Sequence, residues 1–175
     1  WQWKDRAAQE KRLAFGCILG GHKGFVSNRM YPYFYAYYQP LEPMDYRWKE
    51  GIVTKEVKLL WELFQTKTLL DTSDIRHEMG VGKKGGSKVD KAIVELQKLF
   101  YITVAGNRRK VNKFGEPYGW PANVYDKVEN WAPASWLEVS RDLDKFEAGE
   151  YIIEEGIKIS HNVTEAELKK ALAIK

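Results

Sequence analysis

Cysteine and histidine are scarce in this chain of 175 residues, and that scarcity excludes two classes of site. The single cysteine, Cys17, leaves no pair for an internal disulfide and too few thiols for a cysteine-rich zinc site. The three histidines, His22, His77 and His161, are scattered without metal-ligand spacing. The sequence therefore predicts a protein with neither a metal nor a cofactor.

Long hydrophobic runs are missing as well. The apolar stretch at 13–21 is far shorter than the roughly 20 residues of a membrane span, and no signal-peptide pattern precedes it. We therefore expect a soluble, cytoplasmic protein with no membrane partner. Because the chain opens on Trp1 rather than on methionine, we also expect it to be a piece of a longer protein.

A phosphate-binding loop is nearly present but incomplete. The stretch GVGKKGGSK (80–88) has the glycine spacing of G-x-x-x-x-G-K-[ST], but Gly86 stands where the lysine is required. The preceding residues 72–79 have the apolar spacing of a helix, whereas a phosphate-binding loop follows a strand. We therefore interpret these glycines as a turn between two helices.

Side-chain pairs suited to acid–base or nucleophilic catalysis are also lacking. Glu154 and Glu155 are adjacent, so their side chains point to different sides of a helix or a strand. We interpret His77 as a surface or packing residue, and Cys17, which lies in an apolar run, as a core residue. The sequence predicts no catalytic residue in this chain.

Aromatic residues are abundant in the N-terminal part. Residues 2–15 consist of strong helix formers, which predicts a helix that ends at the glycine-rich turn 19–24. The segment 25–43 is rich in tyrosine and predicts a packed aromatic layer, with Ser27 capping a short helix over 31–38. An aromatic platform for stacked bases is the alternative interpretation of this segment.

The central part has the element order of a winged helix-turn-helix. Three helices are predicted, with the caps Thr54, Asp71 or Thr72, and Ser87. A strand at 101–105, a basic and glycine-punctuated hairpin tip at 106–121 and a returning strand at 122–128 follow. In a winged helix the third helix enters the DNA major groove and the hairpin wing touches the neighbouring backbone.

Basic residues are concentrated in the same region. Nine basic and two acidic residues lie between positions 80 and 113, a local charge of +7 in a chain of net charge +4. Such a segment is typical of a surface that binds polyanions, and a solvated lysine-rich loop is the alternative. The predicted DNA contacts are Lys83, Lys84, Ser87, Lys88 and Lys91 around the third helix, and Arg108, Arg109, Lys110 and Lys113 on the wing. The early outward face of the helix lacks Asn, Gln and Arg, which favours recognition of DNA shape or damage over base reading.

The C-terminal part is predicted to be helical. A helix over 133–146 is expected to stop before Gly149, and 151–160 is expected to form a separate short element. Thr164 and Glu167 have the spacing of a capping box that opens a last helix. The predicted fold is thus α+β and mainly helical, with a winged helix-turn-helix at 52–131 between helical extensions at 1–51 and 132–175.

Three stretches together resemble a known family. The segments WQWKD (1–5), YPYFYAYY (31–38) and GWPANVYDKVENW (119–131) resemble bacterial proteins related to the winged-helix DNA glycosylases of the AlkZ type. The resemblance implies tandem winged helices and a relation to enzymes that excise alkylated or crosslinked bases. The glycosylases carry a glutamine followed two positions later by glutamine or aspartate. None of the glutamines here has that neighbour, so no catalytic residue is carried over.

The function favoured by the sequence is DNA binding without catalysis in this chain, directed at shape or damage, with double-stranded DNA as the partner. Two alternatives remain open at this point. One is a glycosylase-like repair enzyme that acts on a flipped base. The other is a protein-interaction module or transcriptional regulator whose protein partner binds the tyrosine-rich segment.

Overall fold

The computed structural model describes residues 6–8, 10–82 and 85–175. Residues 1–5 and Gln9, which include part of the predicted N-terminal helix, lie outside these ranges, as do Lys83 and Lys84. The described part is α+β: helices hold more residues than strands, and the strands form small antiparallel sheets. The predicted α+β, mainly helical class is confirmed at this level.

The N-terminal part contains a hairpin where a helix was predicted. Strand β1 (Leu13–Leu19) pairs antiparallel with β2 (His22–Ser27) through a turn at Gly20 and Gly21, both with positive φ. Of the helix predicted over 2–15, only residues 6–8 are helical in the described part. The prediction is wrong from residue 13 onward.

Burial on both faces explains this strand. Ala14 and Ile18 are fully buried on one side of β1, while Phe15 packs towards the other side of the molecule. An apolar run buried on both faces has no period that distinguishes a strand from a buried helix. Tertiary packing therefore decides its conformation.

The next helices belong to the N-terminal segment and to the central part. Their bounds, with one short strand, are α1 (Tyr31–Tyr38), α2 (Met44–Lys49), α3 (Lys55–Thr66), β3 (Leu70–Asp71), α4 (Thr72–Glu78) and α5 (Gly86–Lys98). The Thr54 hydroxyl accepts the Val57 N–H at 3.3 Å, which confirms the predicted cap of α3. Asp71 accepts the N–H groups of Ser73 and Asp74 at 2.7 and 3.0 Å, which confirms the cap of α4.

Two predicted serine caps are wrong. Ser27 is the last residue of β2, and Met30 is the N-cap of α1; the Ser27 hydroxyl only accepts the Met30 N–H at 3.4 Å. Helix α5 already begins at Gly86, so Ser87 lies inside its first turn. Gly86 packs under the Arg76 guanidinium, where a Cβ would lie 3.3 Å from Cζ, and the glycine permits this early start.

A long hairpin follows α5. Strands β4 (Ile102–Val111) and β5 (Pro117–Lys127) pair antiparallel, and β3 pairs with the other edge of β5 to give the order β3-β5-β4. The strands are longer than predicted, because the basic segment continues the ladder. The turn is confined to residues 112–116.

The C-terminal part differs from its prediction around Gly149. Its helices are α6 (Val128–Trp131), α7 (Ala134–Arg141), α8 (Lys145–Ile159) and α9 (Glu165–Leu172). The single helix predicted over 133–146 is wrong, because α7 ends at Arg141 and Asp144 caps α8 by accepting the Phe146 N–H at 2.8 Å. Gly149 lies inside α8, which also contains most of 151–160. The capping box of Thr164 and Glu167 is confirmed.

Buried side chains form two clusters. The central core joins α3, α4, α5 and the first half of the long hairpin, and includes Val57, Leu60, Phe64, Ile75, Val89, Leu96 and Ile102. The terminal core joins β1, β2 and α1 with α6, α8 and the chain end, and includes Ile18, Tyr31, Phe34, Phe100, Trp131, Ile152 and Ile174. The sequence segments before and after the central part therefore share one core. None of the described helices combines the length and the apolar character needed to cross a membrane.

Candidate nucleic-acid interface

The outer half of the long hairpin, residues 108–121, is here called the distal hairpin. It carries exposed aromatic and basic side chains side by side. Phe114 is 75% exposed and Trp120 is 81% exposed, and Tyr118 is also exposed. Arg109, Lys110 and Lys113 lie among them in the sequence and are exposed too. Large aromatic side chains in water next to cations mark a surface that fits both a phosphate backbone and base faces.

The tip of the distal hairpin is fixed by one asparagine. The Asn112 side-chain oxygen accepts the N–H groups of Phe114 and Glu116 at 2.9 and 3.0 Å, and its amide donates to the Glu116 carboxylate at 3.0 Å. The Lys113 ammonium lies 4.9 Å from the centre of the Phe114 ring. The tip therefore presents an aromatic ring and a cation together on an ordered turn.

A bulge sets the position of Trp120. Arg108 pairs with Ala122 and Lys110 pairs with Tyr118, so Arg109 alone faces the three residues 119–121. Gly119 has a φ of 65° in this bulge, a conformation that glycine adopts without strain. The extra residues leave the ladder, and Trp120 projects from it.

Arg108 has a different environment from the other cations of the hairpin. Its guanidinium donates to the carboxylates of Asp71, at 3.2 Å, and Asp74, and to the Leu69 carbonyl at 2.8 Å. Burial raises the pKa of Asp74, but the hydrogen bond from the Asp71 N–H and the Arg108 guanidinium outweigh it, so that pKa lies below its ordinary value. Arg108 thus joins the hairpin to the start of α4.

The first turns of α5 hold the other predicted contacts. Ser87, Lys88 and Lys91 are exposed there, and the Lys88 ammonium lies 3.5 Å from the Glu56 carboxylate. Asp90, between the two lysines, accepts from one guanidinium nitrogen of Arg76, Nη2, with both carboxylate oxygens, at 2.8 and 2.9 Å. Lys83 and Lys84 lie outside the described residues. Lys88 therefore has an acidic neighbour, whereas Asp90 pairs with Arg76 and not with Lys91.

The second half of α5 is covered by the N-terminal hairpin. The Gln97 side-chain oxygen accepts the Cys17 N–H of β1 at 3.2 Å, and its amide donates to the Ile93 carbonyl at 3.2 Å. Gly16 permits this contact, since a Cβ there would lie 2.7 Å from the Gln97 oxygen. The N-terminal hairpin therefore covers α5 around Gln97.

The tyrosine-rich segment packs inward. Tyr31, Phe34 and Tyr38 are buried in the terminal core, and the Tyr31 and Phe100 ring centres lie 5.4 Å apart. The predicted packed layer is confirmed for these side chains. Their faces are occupied by other rings, so they do not form the alternative platform for bases.

Metal binding and thiol chemistry have little support in the described ranges. No group of three or more His, Cys, Asp or Glu side chains in them has the arrangement of a metal site. Cys17 is buried, as predicted, and burial raises the pKa of its thiol while Lys23 lowers it.

The aromatic surface at Phe114, Tyr118 and Trp120 was not predicted from the sequence, although the glycine and proline that flank Trp120 are a signal of a bulge.

These features define an α+β protein that exposes a basic and aromatic hairpin. The model of the AlkZ-related family matches residues 1–173, nearly the whole chain. The chain therefore belongs to the AlkZ-related family, and the resemblance to AlkZ-type proteins is confirmed. No curated protein and no solved structure matches it.

Proposed function

We propose that this chain is a winged-helix DNA-binding protein that grips double-stranded DNA mainly through its distal hairpin, without catalysis of its own. The order α3, β3, α4, α5, β4, β5 is that of a winged helix-turn-helix, with β3 pairing to the second strand of the wing. The family membership supports a role on DNA, since the family takes its name from AlkZ. Recognition by shape or damage fits a surface that offers cations and rings but few base-reading amides.

The cations of the distal hairpin carry the proposal. Arg109, Lys110 and Lys113 are exposed, and no carboxylate of the described residues pairs with any of them. Cations without an acidic partner contribute most to the free energy of binding phosphates, because each phosphate contact releases a condensed counterion. Lys88 lies 3.5 Å from the Glu56 carboxylate, and Lys91 lines the same cleft as Glu56 and Glu95, so α5 contributes less net attraction.

The test compares two sets of lysine and arginine substitutions by fluorescence anisotropy with a mixed-sequence duplex. Arg109→Ala/Lys110→Ala/Lys113→Ala should weaken binding about tenfold or more at low salt. It should also reduce the slope of log K against log salt by about 2–3, one unit for each lost contact. Lys88→Ala/Lys91→Ala is the matched control, and its effect should stay within about threefold.

Two results would contradict this assignment. Equal losses in the two variants would mean that α5 contributes as much as the distal hairpin, which contradicts a contact made mainly by the hairpin. If the wild-type chain does not bind duplex at low salt, the DNA-binding proposal is wrong and a protein-interaction module is favoured.

A glycosylase-like enzyme is the second candidate, and membership of the AlkZ-related family supports it. Its test is release of an alkylated base from a duplex by the full-length protein. Turnover would overturn the non-catalytic part of our proposal and leave the DNA contact in place.

A further inference from the structure

A cleft of about 360 Å³ is lined by the loop that follows α1, the start of α2, and α3. Two aromatic rings line it, Trp61 on α3 and Tyr101 just before β4, and their centres lie 4.9 Å apart at an angle of 53°. Pro40 and Pro43 belong to the loop and restrict its backbone. The cleft therefore combines a pair of tilted rings with a stiffened loop.

The Tyr101 hydroxyl is a hydrogen-bonding group of this cleft that the fold leaves unused. The Tyr101 side chain is buried, and its hydroxyl has no hydrogen-bond partner among the described residues. Burial raises the pKa of this hydroxyl, so it keeps its proton at neutral pH. A buried hydroxyl without a partner costs free energy, which an acceptor recovers. The cleft therefore suits a ligand that brings an acceptor such as a peptide carbonyl.

The charged residues that line the cleft are acidic, Glu42 and Asp45. Asp45 is held by the Lys58 ammonium at 2.7 Å. Glu42 is 52% exposed, and its ion pair with Arg47 spans 3.7 Å, which is longer than a hydrogen bond. The Glu42 carboxylate is therefore available to a cation that a ligand carries.

The surrounding elements restrict the form of that ligand. The described lining comes from helices and loops, and Tyr101 precedes the first residue of β4, so the cleft has no strand edge to which a peptide strand could pair. Proline-rich segments in the polyproline II conformation instead dock in clefts lined by aromatic side chains. Their carbonyls are free, because this conformation has no internal hydrogen bonds. Rings, an unused hydroxyl and a carboxylate together fit such a segment with a basic residue beside its prolines.

We propose that this cleft binds a proline-rich, basic segment of a partner protein. A proline ring of the segment packs on Trp61 and Tyr101, a carbonyl accepts the Tyr101 hydroxyl, and a neighbouring arginine or lysine pairs with Glu42. The ten residues of β4 separate this site from the turn of the distal hairpin by roughly 30 Å. The inference therefore does not depend on the proposed DNA contact and adds a protein partner to it.

The test measures the anisotropy of a fluorescent peptide in which a run of prolines is followed by two arginines. In the control peptides, glutamate replaces the arginines or alanine replaces the prolines. Tyr101→Phe removes the hydroxyl and keeps the ring, and Glu42→Gln removes the charge. The matched control variants are Tyr46→Phe in α2 and Glu50→Gln at its end, because both residues are exposed and lie outside the lining of the cleft.

The wild-type chain should bind the arginine peptide about tenfold or more tightly than either control peptide. Tyr101→Phe and Glu42→Gln should each weaken this binding about threefold, the loss expected for one hydrogen bond or one exposed ion pair. The two control variants should bind the peptide like the wild type. Duplex affinity should stay within about twofold in all four variants, since the hairpin is unchanged.

Three results of the peptide titration would overturn the inference: no binding of the arginine peptide, equal binding of the alanine peptide, or wild-type affinity in both cleft variants. None of them affects the proposed function, which duplex binding tests separately. Sedimentation of the free chain tests a different occupant of the cleft. Self-association that Glu42→Gln abolishes would assign the cleft to a second copy of this chain and would also overturn the inference.

Discussion

Arg108 and Arg109 are consecutive residues of β4 with different surroundings. Arg108 donates to Asp71, Asp74 and the Leu69 carbonyl, whereas Arg109 lies opposite the bulge with no carboxylate partner among the described residues. Both were predicted as DNA contacts from their charge and from their place on the predicted wing. The structure favours a stabilising role for Arg108 and keeps Arg109 available for a ligand.

We expect Arg108→Ala to lower the free energy of unfolding by about 1 kcal/mol, because it removes charge-assisted bonds that solvent partly screens. Arg109→Ala should leave stability unchanged and reduce the salt slope of duplex binding by about 1. Urea unfolding and anisotropy measure the two effects. Equal stability of the two variants would contradict the different roles.

The pH dependence of stability at acid pH is a second test of the Arg108 substitution. The pKa of Asp74 is depressed in the folded protein, so its contribution is present above its ordinary pKa of 3.8 and is lost as pH falls through the folded value. Without Arg108, the pKa of Asp74 in the folded protein lies closer to its ordinary value. Arg108→Ala should therefore lose less stability than the wild type between about pH 4 and pH 2.

At the scale of elements, the predictions that hold depend on hydrogen bonds between residues that are close in the sequence. Thr54, Asp71 and Thr164 were predicted as caps because a cap bonds within three residues. β1 was not predicted, since burial on both of its faces depends on two cores that the local sequence does not reveal. The bonds of Arg108 escaped prediction for the same reason, since Asp71 and Asp74 lie 37 and 34 residues away.

Gly149 illustrates how packing overrides helix propensity. It lies inside α8, where a Cβ would come within 2.7 Å of the Tyr37 ring on α1. Tyr37 is itself held, because its hydroxyl accepts the Lys175 N–H at 3.0 Å. The glycine therefore lets α1 and α8 approach closely.

We expect Gly149→Ala to destabilise the protein by about 1–2 kcal/mol, because the clash with Tyr37 exceeds the gain in helix propensity. In a Tyr37→Ala background the clash is gone, and the same substitution should stabilise by up to about 1 kcal/mol. Urea unfolding of the four proteins measures both steps. The same sign in both backgrounds would contradict the close approach as the reason for this glycine.

At the scale of the whole molecule, two consecutive residues join the two cores. Tyr101 packs in the central core beside Trp61, with ring centres 4.9 Å apart. Phe100, with a positive φ of 55°, turns its ring into the terminal core against Tyr31 and Tyr38. This backbone turn at the end of α5 therefore couples the helix that carries the predicted DNA contacts to the terminal core.

We expect the wild-type chain to unfold in one calorimetric transition, because Phe100 makes the stability of each core depend on the other. Phe100→Ala should lower the free energy of unfolding by about 3–5 kcal/mol and split the transition in two, with the terminal core melting first. Phe64→Ala is the matched control: Phe64 is equally buried, but inside the central core alone. It should cost a similar amount and keep one transition. A single transition in both variants would mean that the contacts between β1 and α5 suffice to couple the cores.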